Sequence, residues 1–202
     1  MTDLADKIIG HYERHAIEWD ADRRKSYWND KRWHERFADA LPTGATVLDL
    51  GCGGGMPVAS NLVGRGLQVT GIDSSPTMIS LCRSRLPRHE WMVADMRTLS
   101  LGRTFEGVLA WDSFFHLKPE HQRDVFRVFG AHAAENCVLM FNAGTGYGER
   151  IGSYRGDPLY HASLDPAEYG RLLAAFRFKL LDHIVEDPLA GGRTVWLARK
   201  SH

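Results

Sequence analysis

Cysteine is scarce, net charge is absent and no long apolar run exists, and each absence removes a class of protein. The three cysteines, Cys52, Cys82 and Cys137, are too few and too scattered along the chain for a disulfide framework or a zinc cluster. They read as buried or incidental thiols of a reducing compartment. Lys and Arg number 25 against 25 Asp and Glu, a formal charge of 0, so no broad field for nucleic acid is expected. A membrane span needs about 18 consecutive apolar residues, and none is found. Asp, Lys and Glu among the first apolar residues do not suit a signal peptide, so a cytoplasmic protein is expected. Repeats and low-complexity tracts are missing too. What is present is ordinary: 44% hydrophobic and 25% charged residues over 202 positions, which suits one folded domain with a sizeable core.

Leu4, Ile8, Tyr12 and Trp19 recur at helical spacing, and Trp33, Phe37 and Leu41 do so again after Asn29 or Asp30. Between them, Arg23-Arg24-Lys25 reads as a solvated charge run. Residues 1–42 are therefore expected to be helices lying over one domain rather than a domain of their own. From residue 43 strands and helices alternate. Strands are expected over 46–50, 68–72, 90–94, 105–111, 138–141, 178–185 and 194–198. Helices are expected over 57–63, from Ser75-Pro76 to Pro87, over 119–132 and from Asp165-Pro166, where a capping carboxylate precedes a first-turn proline. The last two strands are joined by Asp187-Pro188-Leu189-Ala190-Gly191-Gly192, which holds no helix and implies antiparallel pairing. The pattern predicts an α/β fold: a doubly wound, seven-stranded, mostly parallel sheet with an antiparallel last strand. Residues 143–164 read as a long connection, of the kind that often carries function.

In such sheets ligands bind beyond the carboxyl ends of the strands, where strand order reverses. Three acids fall there: Asp49, Asp73 and Asp95. The first strand, Val47-Leu48-Asp49-Leu50, runs into Gly51-Cys52-Gly53-Gly54-Gly55. A dinucleotide fingerprint would place its third glycine on Met56, and a phosphate-cradling loop would require a following Lys-Ser/Thr. The spacing is instead G-x-G-x-G behind an acid. Asp73 lies at the separation from Gly51 that suits a carboxylate reaching ribose hydroxyls.

The Gly loop, Gly71-Ile72-Asp73, Val93-Ala94-Asp95-Met96 and Leu109-Ala110-Trp111-Asp112 occur in the motif order of the class I S-adenosylmethionine-dependent methyltransferases, which residues 45 to about 200 resemble. The resemblance implies S-adenosylmethionine as cofactor, S-adenosylhomocysteine as product and a small-molecule acceptor, and no metal or nucleic-acid partner. It implies that Gly51, Gly53 and Asp49 hold the methionine moiety, that Asp73 and Ser74 take the ribose with Met78 near the adenine, and that Asp95 and Met96 meet the adenine edge. Trp111 would approach the reactive methyl. The N-terminal helices would form a lid, with Tyr12 closing the site and Lys31 pairing with the cofactor carboxylate.

On the acceptor side, His116 just past the fourth strand is the candidate general base, with His161 and Tyr160 next. Trp28, Phe115, Tyr154, Arg155, Tyr160 and His161 are the candidate acceptor-binding residues. Trp111-Asp112-Ser113-Phe114 lacks the Asn/Asp-Pro-Pro-aromatic run of the enzymes that methylate nucleic-acid bases, and Asp112 alone does not make a metal-dependent catechol-type site. An NAD-type oxidoreductase and a non-catalytic adenosylmethionine-binding module are the alternatives, and a monomer or homodimer is expected.

Overall fold

A computed structural model describes residues 4–201, so the outermost positions of the expected 1–202 domain lie outside the described residues. The strands are β1 Thr46–Leu50, β2 Gln68–Asp73, β3 Glu90–Val93, β4 Phe105–Ala110, β5 Ala133–Ala143, β6 Gly148–Tyr154, β7 Asp157–Ser163, β8 Phe178–Asp187 and β9 Arg193–Lys200. The helices are α1 Ile8–Arg14, α2 Ala16–Lys25, α3 Lys31–Asp39, α4 Val58–Gly64, α5 Pro76–Arg85, α6 Pro119–His132 and α7 Pro166–Ala175. Seven strands form one sheet in the order β3-β2-β1-β4-β5-β9-β8. β9 runs antiparallel to both its neighbours and the remaining pairs are parallel. Strand order reverses between β1 and β4, which puts the switch point where the Gly loop leaves β1.

The central strands are apolar on both faces because helices cover both. Leu48, Leu50, Val108, Leu139 and Phe141 meet the aromatic residues of α6 and α7 on one face. Val47, Val69, Leu109 and Met140 meet Trp33, Phe37, Leu62 and Ile79 of α3, α4 and α5 on the other. Local signals agree with this packing. The Ser75 hydroxyl accepts the Met78 N–H at the head of α5, and the Asp165 carboxylate accepts the Ala167 N–H at the head of α7, each with proline in the first turn.

Three expectations change. The segment expected as one helix over 4–19 is a 3-10 turn followed by α1 and α2, broken at His15. The charge run at 23–25 is not wholly solvated: Arg23 turns inward and donates to the fully buried Asp30 at 3.0 Å. Residues 143–164 are not a loop. They contain a two-stranded antiparallel hairpin, β6–β7, turned at Arg155-Gly156 with φ of +49° and +87°. A two-residue turn with both φ positive matches the twist of the strands it joins. Most β6 side chains are exposed or half-buried, so no apolar alternation marks that strand in the sequence.

Trp33 anchors α3. It is 1% exposed, and its indole N–H donates to Asp187 at 2.8 Å. Trp33→Ala should lower stability by about 3–5 kcal/mol through cavity formation. Trp33→Phe, which mainly strips a buried carboxylate of one donor, should cost about 1–3 kcal/mol. Denaturant unfolding of both variants measures the difference.

Candidate active site

Gly51 and Gly53 turn the chain out of β1 with φ of +81° and +53°, values that residues with a Cβ adopt at a cost. A Cβ on Gly51 would also lie 2.3 Å from that of Ser113. Both Gly51 and Cys52 donate their N–H groups to the Ile72 carbonyl, at 2.7 and 3.0 Å. The Asp73 carboxylate completes the arrangement, one oxygen accepting Gly53 N–H and the other Ser75 N–H, each at 2.9 Å. It thus serves the head of α5 and the loop together.

These elements wall a cleft of about 850 Å³ at the carboxyl ends of β1 to β4. Gly51, Gly53, Asp73, Ser74, Met78, Asp95 and Met96 line it from the sheet side, and Tyr12 and Trp19 from the N-terminal helices. A second cleft of about 540 Å³ shares Trp19, Gly51, Gly53 and Asp112 and adds Asp49 and Trp111. All but one of the expected cofactor residues line one cleft or the other. Lys31 does not: it is exposed on α3 and pairs with Glu35 at 3.3 Å, one helical turn away. Trp111 lines only the second cleft, since its indole N–H is committed to the buried Asp30 at 2.6 Å. Asp95 lines the main cleft but is gripped by Arg97, whose hydrogen bonds and charge outweigh burial and hold the carboxyl below its usual range.

The electrostatics of the two clefts are set by buried acids. Burial, with help from the Asp73 charge, pushes the Asp49 carboxyl up to about 7. Burial raises Asp73 as well, against its backbone hydrogen bonds. Burial also pushes the Cys52 thiol up, which removes it as a nucleophile.

His116 sits in the main cleft as expected, but not poised as a free base. Its Nδ1–H donates to the Tyr160 carbonyl at 2.8 Å, which leaves the Nε2 lone pair to accept the Tyr12 hydroxyl at 2.6 Å. Burial brings the imidazole down to about 3, so taking up a proton near neutrality costs several kcal/mol by about 1.36 kcal/mol per pKa unit.

None of the expected acceptor-binding residues lines the main cleft. Trp28 packs against His34, and Phe115 stacks on His161 with ring centroids 5.3 Å apart. His161 in turn lies 4.8 Å from the His116 ring, behind it. Tyr160 is buried against Ala5 and contributes its carbonyl. Tyr154 packs on Trp19 and donates its hydroxyl to Asp22. Arg155 is held by the same Asp22 at 2.9 Å, so it is not open to an anionic acceptor.

Sequence reasoning missed the groups that fasten this site. Arg85 on α5 reaches Asp20 of α2 with two bonds, at 2.5 and 2.7 Å, and donates to the Gly54 carbonyl at 2.7 Å. Glu13 of α1 accepts from the Thr77 hydroxyl at 2.7 Å. Asp112, at a φ of +48°, receives a two-pronged contact from Arg193 at 2.8 and 2.7 Å, while Asn142 exchanges two bonds with it. A non-glycine residue held at positive φ is a common mark of a functional position. The signal available for Asp112 was its place just beyond β4. Nothing short-range announces the partners of Asp20 or Glu13.

A sheet of this order, with a G-x-G-x-G loop and strand-end acids at its switch point, defines the class I S-adenosylmethionine-dependent methyltransferase fold. Residues 47–135 match the family model described as a methyltransferase domain. Over 85 residues the chain is 51% identical to the trans-aconitate 2-methyltransferase of Azoarcus sp. (strain BH72), covering 35% of this chain and 33% of that protein. The chain spans about a third to a half of the length of the curated relatives it matches. Among solved structures, the N-methyltransferase NodS from Bradyrhizobium japonicum, in complex with S-adenosyl-L-homocysteine, superposes with a TM-score of 0.75 at 14% identity, covering 97% of this chain and 100% of that one. The amino pentose methyltransferase CalS10 from Micromonospora echinaspora, with S-adenosylmethionine bound, gives 0.71 at 22% identity over 92% and 96%. The two superpositions establish the fold, and residues 47–135 are similar to the methyltransferase-domain family.

A raised native pKa means that Asp49 favours folding fully below about 3.9, its unfolded value, and that this contribution is lost as pH rises through about 7. Asp49→Asn should therefore stabilise the ligand-free protein more at pH 8 than at pH 5, by at least about 1 kcal/mol. Thermal unfolding across that range is the measurement, and equal shifts at both pH values would contradict it.

Proposed function

We propose that this chain is an enzyme that transfers a methyl group from S-adenosylmethionine to a small-molecule acceptor by in-line displacement. The observation that carries the reading is a pair of clefts at the switch point that share Gly51 and Gly53, one lined by Asp73 with the Tyr12–His116 pair and the other by Asp49. The residues suit the cofactor. A Cβ on Gly53 would meet nothing within 4 Å, so the loop leaves open space against bare backbone. Each Asp73 oxygen takes one backbone N–H and has capacity left to accept a ribose hydroxyl. The buried Asp49 suits a cationic amine, and Met78 and Met96 supply polarizable surface for a purine.

When bound, the cofactor supplies a methyl group already activated by a sulfonium. The protein is then asked mainly for alignment, which alone is worth several kcal/mol. Fixing α2 to the Gly loop through Asp20 and Arg85, and α1 to the head of α5 through Glu13, makes them a lid over the cofactor. Tyr12 and His116 orient the acceptor through their hydrogen bond, and the low proton affinity of His116 disfavours it as general base. An acceptor that attacks through a neutral lone pair suits such a site. Trans-aconitate and amino pentoses, named for two relatives, illustrate how wide the acceptor range of this fold is. No nucleic-acid partner and a cytoplasmic location go with the reading. The chain acts as a monomer or homodimer.

Calorimetry separates this reading from its rivals. S-adenosylmethionine and S-adenosylhomocysteine should bind and NAD should not, while binding of NAD alone would identify an oxidoreductase. Asp73→Ala should weaken adenosylmethionine binding at least about a hundredfold, by analogy with loss of a buried charged hydrogen-bond acceptor. A metabolite screen that reads release of the demethylated cofactor identifies the acceptor; a screen without turnover across amines, carboxylates and phenols favours a binding module. Once an acceptor is known, His116→Gln should lower turnover by less than about a hundredfold, because general bases contribute about 10²–10⁴. A larger loss, together with a pH–rate profile that loses an ionisation, would restore His116 as the base.

A further inference from the structure

At the junction of α1 and α2, three groups meet that the proposed reaction does not use. His11 and His15 stand one helical turn apart, the His15 N–H donating to the His11 carbonyl at 3.1 Å, with their rings 4.9 Å apart. Asp157, at the start of β7, faces both: its Oδ2 lies 2.9 Å from His15 Nε2 and 3.9 Å from His11 Nδ1. One ligand atom from each residue lies within 4.8 Å of the other two. His11 is 3% exposed, yet neither of its ring nitrogens has a hydrogen-bond partner. Leaving such nitrogens unmet is costly, and here the imidazole faces a carboxylate too distant for a hydrogen bond.

We propose that His11, His15 and Asp157 form a binding site for one divalent transition ion of the zinc type. The donor set is right for it: two imidazoles at i and i+4, the first within α1 and the second at its C-cap, plus a carboxylate, leaving one tetrahedral position for water. Ion–ligand distances of about 2.0–2.2 Å place tetrahedral ligand atoms roughly 3.3 Å apart, a spacing bracketed by those observed. Arg14 is the competitor. Its Nη2 lies 3.0 Å from the same Asp157 oxygen, but its side chain is 63% exposed and swings into solvent without loss of packing.

The ion would tie α1 and α2 to the β6–β7 hairpin. Tyr12, next to His11, and the carbonyl of Tyr160, on the same strand as Asp157, are the two hydrogen-bond partners of His116. One metal clip would therefore fix both partners of the imidazole in the cleft, without touching the cofactor side.

Titration of Zn²⁺ and Co²⁺ into tag-free, chelator-treated protein tests the site. The expected result is one ion per chain at roughly micromolar affinity or tighter, visible ligand-field bands with Co²⁺, and a raised Tm. His15→Gln and Asp157→Asn, both at partly exposed positions, should each weaken binding by at least about tenfold, and Arg14→Ala should tighten it. Binding weaker than micromolar overturns the proposal. So does affinity unchanged in both His15→Gln and Asp157→Asn, which would place the ion on other histidines. Because the readout is metal affinity, failure here leaves the methyl-transfer reading standing, and failure of methyl transfer leaves this site standing.

Discussion

The carboxylate of Asp73 is the interaction on which the site depends. It ends β2, accepts from the Gly loop with one oxygen and from the head of α5 with the other. Those two bonds hold the loop and the helix in one relative position. The loop position then decides where Arg85, on the same α5, meets the Gly54 carbonyl, and Arg85 decides where Asp20 and the whole of α2 come to rest. A chain of hydrogen bonds thus runs from the centre of the sheet to the covering helices. Each step is short and half or more shielded from water, where hydrogen bonds count for more than on the surface.

The buried acids give this frame its chemical bias. Asp49 and Asp73 repel one another, and burial penalises both. The arginines of the site are committed elsewhere: Arg85 to Asp20, Arg193 to Asp112 and Arg97 to Asp95. A site with unneutralised carboxylates favours a cationic ligand, which would return Asp49 to its ionised form. That bias is local, since the whole chain has a formal charge of 0, and composition could not reveal it. A cofactor bearing an amine and a sulfonium meets the bias, and a dinucleotide with a pyrophosphate does not.

How much of this was legible before the fold was known follows from the range of the forces involved. The strands announce themselves by short-range apolar patterning, and the caps at Ser75 and Asp165 rest on contacts two or three residues apart, so the sequence pattern places both within a few residues. The hairpin escaped because its first strand is largely solvated and its turn is Arg-Gly rather than Asn-Gly. The residues that line the two clefts from the sheet side were readable because glycines and acids at strand ends keep a spacing that the strand-to-helix turns set. The surroundings of the aromatic residues past β4 and in the hairpin were not readable, because such side chains serve packing as well as pockets. Phe115, His161, Tyr154 and Tyr160 look like pocket linings in sequence, yet each packs a partner from another element.

The placement of those side chains has a structural cause. Away from the Gly loop the main cleft is walled by Ile8, Ile9, Tyr12 and Trp19 from the N-terminal helices rather than by the hairpin. The hairpin stands behind them, gripping through Tyr154 and the His15–Asp157 contact. Side chains that line the cleft and side chains that set their position therefore belong to different segments. Changes in β6 and β7 would reshape the cleft only indirectly, by moving α1 and α2, whereas changes at Ile8, Ile9 or Trp19 would reshape it directly. None of those four wall residues belongs to the two buried clusters that pack against the sheet, so the wall of the cleft can change with little effect on the core that holds the fold.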